Sequence, residues 1–263
     1  MLGHVVYYYL KETNRYEVLN TVYRSKLTDD SIVCDVRNQK LLKSVLKETN
    51  PYVIINCVGA LIKESKTNPA NAIYLNAMLP HILREQADLI NAKLIHVSTD
   101  CVFSGRKGNY AEEDFRDADD VYGRSKALGE ICEVPHCTLR TSIIGPELKK
   151  NGTGLLHWFM NESGPVQGYT HSLWSGVTTL QLAKCMEIVI TKELTGLFHV
   201  TNGRRISKFD LLKLFNEVRS DKIDIIPFVN SGTDKSLQAS SRYDFQVPTY
   251  RQMIAEMNEF SYT

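Results

Sequence analysis

The stretch Lys93-Leu94-Ile95-His96-Val97-Ser98-Thr99-Asp100-Cys101-Val102-Phe103 passes from apolar, β-forming residues directly into small hydroxyl residues. A polar loop follows, and then Val121-Tyr122-Gly123-Arg124-Ser125-Lys126. A strand that ends in hydroxyls and is followed by a helix is the repeating unit of an α/β sheet whose strand ends carry chemistry. Tyr122 and Lys126 are four residues apart, so on a helix they share one face. An ammonium beside a phenol stabilises the phenolate, so the tyrosine pKa is expected to fall and Tyr122 to act as proton donor to a carbonyl oxygen. With Thr99 at the strand end, this is the set that hydride transfer to a ketone needs. Spacing alone is not specific. Tyr7 and Lys11 repeat it without a preceding strand-end threonine, and they are expected to be an ordinary helix pair.

Outward from this stretch, strand-like and helical patterns alternate. Residues 16–23 and 31–34 read as strands, Leu41, Leu42, Val45 and Leu46 as a helical stripe, and 51–58 as a β-branched run of the buried parallel type. A long helix is expected over 70–91, kinked or restarted by Pro80. Strands at 93–97 and 136–140 flank the Tyr122 helix, which gives a doubly wound parallel sheet with right-handed crossovers. After Gly145-Pro146 the rhythm loosens. Helices are expected at 178–192, from Ser207, and at 247–260 begun by Pro248, with strands at 196–200 and 222–228. Residues 1–145 are therefore read as the main α/β domain. Residues 146–263 are read as a smaller substrate-binding lobe, some of whose segments return to the main sheet.

The 263 residues are 43% hydrophobic and 23% charged, an ordinary globular composition, and the net charge of +1 gives no basic stripe for nucleic acid. No apolar run is long enough for a membrane span, and the first residues lack a signal-peptide pattern. The six cysteines, at 34, 57, 101, 132, 137 and 185, form no Cys-x-x-Cys, which points to a reducing, cytoplasmic setting without a disulfide framework. His171 has no partner at ligand spacing, so no metal is expected.

A dinucleotide-binding sheet opens with a strand and a glycine-rich turn that holds the pyrophosphate. Here Met1-Leu2-Gly3-His4 passes directly into helical sequence, and only Gly3 can belong to such a turn. The expectation is of an N-terminally shortened chain, with a gap of unpaired backbone groups where the central first strand would run.

These motifs resemble the extended short-chain dehydrogenase/reductases, most closely the dTDP-4-dehydrorhamnose reductase (RmlD-type) group, over nearly the whole chain. Met1-Leu2-Gly3 matches the end of that group's glycine loop, Asp35-Val36 its adenine-contacting pair, and Ile55-Asn56-Cys57-Val58-Gly59-Ala60 the strand and turn beneath the nicotinamide ribose. Asn76 matches the asparagine of the following helix, and residues 98–105 and 121–126 match the catalytic segments. Segments 196–201 and 234–237 also fit. The resemblance implies a Rossmann-type fold in which Thr99 binds the substrate carbonyl, Tyr122 donates the proton, and Lys126 binds ribose and tunes Tyr122. It implies NADP contacts from Gly3, Arg24, Asp35, Val36, Cys57, Val58, Gly59, Asn76, Ser98, Tyr122 and Lys126. Arg24 stands where NAD-specific relatives carry an acidic residue; with Lys26 close by it favours a 2′-phosphate, hence NADPH over NADH.

One fold hosts several chemistries, so the site decides. Related dehydratases carry Asp-Glu after the strand-end threonine. Here Asp100 is followed by Cys101, which removes the carboxylate base and disfavours elimination. The expected activity is reduction of the 4-keto group of a 4-keto-6-deoxy nucleotide sugar, dTDP- or UDP-linked, in polysaccharide biosynthesis. Tyr169 and Trp174 are candidates for the sugar-nucleotide pocket, and Lys235 and Arg140 for its diphosphate; a packed aromatic is an equal reading for the first two. Two alternatives are a non-catalytic regulatory subunit like the methionine adenosyltransferase β subunit, and a nucleotide-sugar epimerase. Oligomeric state stays open, a homodimer included.

Overall fold

The computed structural model describes residues 1–229 and 231–262. Helix α1 (Gly3–Glu12) comes first, then strands β1 (Thr21–Val22) and β2 (Ile32–Val33) and helix α2 (Gln39–Thr49). Asn38 caps α2 by accepting the Leu41 N–H, and Asn50 ends it in the left-handed region at φ 38°. Strand β3 (Val53–Asn56) leads to α3 (Ile62–Thr67), α4 (Pro69–Ile73), a π-helical turn over Tyr74–Met78, and α5 (Leu79–Leu89). The single helix expected over 70–91 is thus three pieces. Pro80 lies in the first turn of α5, where a missing N–H leaves no helical bond unmade. Strand β4 (Lys93–Thr99), a 3-10 turn (Asp100–Val102), helix α6 (Val121–Leu128) and strand β5 (Cys137–Thr141) complete the first half.

The second half contributes β6 (Ile143–Ile144), α7 (Leu155–Asn161), β7 (Val166–Tyr169), β8 (Ser172–Trp174), β9 (Val177–Thr178), α8 (Thr179–Thr191) and β10 (Gly196–His199). It ends with β11 (Ile206–Ser207), α9 (Lys208–Val218), β12 (Ile225–Phe228), β13 (Thr233–Asp234) and α10 (Tyr250–Glu259). The terminal helix is started by Thr249 rather than Pro248, through a reciprocal cap with Gln252. Strands β6, β8, β9, β11 and β13 escaped the sequence reading because each is two or three residues long, too short for any periodicity.

The main sheet has the order β10-β5-β4-β3, parallel throughout, so β10 returns from the second half to the sheet of the first. β1 and β2 pair only with each other, in a separate parallel pair. The sheet is therefore discontinuous between β1 and β3, and among the described residues no strand precedes α1. The strands expected over 16–23 and 31–34 are two residues each, since each has a partner along one edge only.

Apolar side chains of α1, β5, α8, α9 and α10 form the larger core cluster, while α2 and α5 close a second one. The face of the main sheet towards α6 is polar. Register sets Asn56 opposite His96 and His96 opposite Thr138, with Ser98 and His199 opposite Arg140, and all six are buried.

Candidate active site

Thr99 ends β4 and turns the chain by accepting the Cys101 N–H at 3.2 Å. Helix α6 begins at Asp120, whose carboxylate accepts the Gly123 N–H at 2.7 Å. Gly123 has room for nothing larger: a Cβ there would lie 2.1 Å from the Cys101 carbonyl oxygen and 2.5 Å from Ala118 Cβ. At the other end of α6, a Cβ on Gly129 would lie 2.0 Å from the Asn76 carbonyl oxygen. These two close approaches press α6 onto the turn after β4 and onto the π-helical turn, and they set the Tyr122 phenol near enough to Thr99 for the hydroxyl to favour the ionised phenol. Lys126 reaches the same strand one turn back: its Nζ donates to Val97 O at 2.5 Å and stands 3.5 Å from His96 Nε2.

The expected lowering of the Tyr122 pKa is not what this arrangement produces. Burial pushes the phenol up, the neighbouring Cys101 adds to it, and the hydrogen bond with Thr99 only partly opposes both. Burial likewise pushes Lys126 down to about 8, against the pull of Glu130. The reason is geometric: the Lys126 amine is engaged with the sheet rather than with the phenol. The direct amine-to-phenol bond forms instead in the pair read as ordinary, where Lys11 donates to Tyr7 at 3.2 Å and holds that phenol below its usual value.

On the neighbouring strand, Cys57, Val58 and Gly59 form the turn after β3. Asn76 shapes it, accepting the Ala60 N–H at 2.9 Å and donating to Ala60 O at 3.0 Å and Ser125 Oγ at 3.2 Å. Asn76 is fully buried, so it holds the turn and presents no group of its own. Tyr74, on the same π-helical turn, donates to Val36 O at 3.1 Å and ties down the loop after β2. Gly3 brings the start of α1 to Cys57, with its Cβ position 3.6 Å from Cys57 Cβ, and no side chain caps that helix start.

Beyond β1, Tyr23 lies between two guanidiniums. Arg24 sits 4.5 Å and Arg37 5.0 Å from the ring centroid, and both donate to the phenol oxygen, at 3.0 and 2.5 Å. Arg37 also binds Asp35 through Nε and NH2 at 2.9 and 2.8 Å, and holds its carboxyl below the usual range. Tyr23 and Arg37 were missed by the sequence reading; the alternation Tyr-Arg after one strand and Asp-x-Arg after the next was the available signal.

Several expected site residues have other work. Ser98 Oγ donates to Glu130 at 2.6 Å beneath α6, so its hydroxyl braces the fold. Arg140, 2% exposed, grips the same carboxylate through Nε and NH2, both at 2.8 Å, and is out of reach of a diphosphate. Trp174 is 7% exposed and packs on Tyr250 with ring centroids 5.5 Å apart, which makes it core rather than pocket wall. Tyr169 remains partly exposed beside Phe228. Lys235 stands close enough to Asp100 and Cys101 for its charge to oppose the burial that pushes both acids up. All six cysteines are free, and among the described residues no helix is long and apolar enough to cross a membrane.

Comparison with known proteins agrees with this geometry. A dTDP-4-dehydrorhamnose reductase of Aggregatibacter actinomycetemcomitans is 28% identical over 248 residues, covering 88% of this chain and 81% of that protein. The methionine adenosyltransferase 2 subunit beta of Xenopus tropicalis is 30% identical over 226 residues, 80% of this chain and 67% of that protein. The crystal structure of a Bacillus anthracis dTDP-4-dehydrorhamnose reductase in complex with NADP superposes with a TM-score of 0.75 at 22% identity, over 85% of this chain and 86% of that one. The fold is accordingly of the Rossmann type. The description of the RmlD substrate binding domain matches residues 2–259, and the chain belongs to that family.

Proposed function

We propose that the protein is an NADPH-dependent reductase acting on the 4-keto group of a 4-keto-6-deoxy nucleotide sugar, dTDP- or UDP-linked. The observation that carries this reading is the meeting of Thr99 and Tyr122 at the end of β4, with Lys126 one turn behind and a cysteine, not a carboxylate, at position 101. The set suffices for reduction and lacks the base that elimination requires.

The residues fit a dinucleotide in three respects. The uncapped start of α1 at Gly3 offers backbone N–H groups to a diphosphate, as helix starts do. The Cys57-Val58-Gly59 turn is held open by Asn76 and kept free of a Cβ at Gly59, where one would lie 3.2 Å from Asn76 Oδ1. Asp35, Val36 and the cationic rim of Arg24 and Arg37 suit an adenosine carrying a 2′-phosphate. When bound, NADPH supplies the hydride. Thr99 Oγ1 donates to the substrate ketone, Tyr122 hands its proton to the oxygen as negative charge develops there, and Lys126 holds the ribose hydroxyls and supports Tyr122. Lys235, beside Asp100, and the exposed Tyr169 are assigned to the nucleotide-sugar side.

Calorimetric titration with NADPH and NADH, followed by turnover of a dTDP-4-keto-6-deoxy sugar, tests the reading. Preferred NADPH binding with turnover supports it; binding of neither nucleotide removes it. The relatives named methionine adenosyltransferase 2 subunit beta favour a second reading, that of a regulatory subunit. Inertness towards keto sugars together with stoichiometric binding to a methionine adenosyltransferase catalytic subunit would decide for it.

A further inference from the structure

Behind Lys126 lie two buried polar side chains, Asn56 and His96, that the reaction as described does not use. Asn56 is 3%, His96 0% and Lys126 6% exposed. The Val58 N–H donates to Asn56 Oδ1 at 3.0 Å, so the Asn56 amide must turn its Nδ2 towards His96 Nδ1, 3.1 Å away. A donor facing Nδ1 makes that nitrogen an acceptor. A neutral imidazole then carries its proton on Nε2, and Nε2 is the atom that faces Lys126 Nζ at 3.5 Å. An ammonium has no lone pair to receive it. A neutral amine does.

The other charged groups around Lys126 do not reverse this. Glu130 is the carboxylate nearest in effect, but Arg140 and Arg116 both bind it, at 2.8 Å. His81, on α5, bears on His96 with the same sign as Lys126, and its Nε2 is 2.8 Å from Leu128 O. Among the described residues, Val97 O accepts from Lys126 Nζ. His96 itself is kept neutral by burial and by the positive charge of Lys126.

We propose that Asn56 and His96 are positioning residues that act through Lys126: the tautomer imposed by Asn56 presents His96 Nε2–H to the lysine and stabilises it as the neutral amine. This inference rests on the reductase reading, and its use there is in resetting the donor. Once Tyr122 has given its proton to the substrate oxygen, the phenolate takes one proton back from Lys126 through an intervening water, and the neutral amine accepts the His96 hydrogen bond until solvent returns a proton to it. No electrons move in this step, and the charge lost at Lys126 equals the charge quenched at Tyr122.

The test uses the ligand-free protein, so it does not depend on turnover. Long-range 15N–1H spectra of histidine-labelled protein should show His96 protonated at Nε2, and 13Cε spectra of lysine-labelled protein should show Lys126, assigned by its loss in Lys126→Met, titrating well below the other lysines. Asn56→Asp replaces the donor with an acceptor of the same shape. It should move the His96 proton to Nδ1, leave Nε2 to accept from the ammonium, and raise the Lys126 midpoint. His96→Leu, which removes the facing donor, should raise it as well. With substrate, the high-pH limb of kcat should move upward with the Lys126 midpoint in Asn56→Asp. A wild-type His96 protonated at Nδ1, or a Lys126 midpoint unmoved in both variants, overturns the proposal. Absence of turnover with the spectra as expected counts against the reductase reading alone.

Discussion

Arg140 and Glu130 face each other as two parallel contacts, Nε to Oε1 and NH2 to Oε2, both 2.8 Å, with 2% and 0% of their side chains exposed. Ser98 and Arg116 fill the remaining positions on the carboxylate, and His199 Nε2 accepts from Arg140 NH1 at 2.8 Å. The strand-end serine, the loop before the Tyr122 helix and strand β5 thus meet on one carboxylate, and His199 of β10 reaches it through Arg140. Glu130→Gln leaves two guanidiniums without their counter-charge, and loss of one partner of a buried pair costs about 3–5 kcal/mol. A urea denaturation midpoint should show it.

The same carboxylate sets an acid limit. Burial raises the Glu130 pKa, but Arg140, Ser98 and Arg116 outweigh burial and hold it below its ordinary 4.5. A folded-state pKa below the unfolded one stabilises the fold above pH 4.5, and that stability is lost as pH falls through the folded value. Wild-type stability should therefore fall steeply below pH 4.5, and Glu130→Gln should flatten that fall. Parallel curves for the two proteins would remove Glu130 from the account.

Gly123 offers a sharper test of the site. Its missing Cβ lets α6 rest on the Cys101 carbonyl, and Gly123→Ala must shift the helix or the turn. Overpacking of this kind costs about 1–3 kcal/mol, and displacement of a catalytic group by about 1 Å can cost on the order of 100-fold in rate. Gly164, with nothing within 4 Å of its Cβ position, is the control, and Gly164→Ala should leave both rate and stability unchanged. Equal turnover in the two variants would mean that the Thr99–Tyr122 contact does not depend on this packing.

The central motif was legible because strand, turn and helix are contiguous: the hydroxyls of 98 and 99 and the pair at 122 and 126 stand within thirty residues of one another. What sequence withheld is what register decides. Asn56 meets His96, and Ser98 meets Arg140, because parallel strands place them side by side, and no local pattern states that register. Ser98 and Arg140 were read as ligand-facing for this reason, since the carboxylate that claims both lies beyond α6. The π-helical turn was equally hidden, yet it places Tyr74 and Asn76 on the two loops they hold. Trp174 shows the converse, an aromatic whose composition-level neighbourhood looked like a pocket and whose packing is core.

Tyr122→Phe removes the proton donor and little else. The Thr99 hydroxyl keeps its acceptor Asp100 Oδ1 at 3.2 Å, and Lys126 keeps Val97 O. General-acid loss is worth about 10²–10⁴ in rate, so kcat should fall by that factor while the NADPH dissociation constant holds. Near-normal turnover in Tyr122→Phe would remove the assignment. Lys11→Met, which breaks the other tyrosine–lysine bond, should leave kcat unchanged.

The rim at Tyr23 should decide between the two nicotinamide cofactors. Arg24 and Arg37 are held side by side on one phenol, at 3.0 and 2.5 Å, although like charges repel; the phenol oxygen and Asp35 offset that repulsion only in part. Asp35 is already bound to Arg37, which leaves Arg24 as the guanidinium with no carboxylate among these contacts. A charge-assisted hydrogen bond to an ionised group is worth about 1.5–3 kcal/mol, or roughly 10- to 100-fold in affinity. Arg24→Asp should weaken NADPH by about that factor and leave NADH within a few-fold, and Arg37→Ala should act in the same direction but less, since it also frees Asp35. Fluorescence titration of both nucleotides against both variants measures this directly. An unchanged NADPH-to-NADH ratio in Arg24→Asp would move the 2′-phosphate away from this rim.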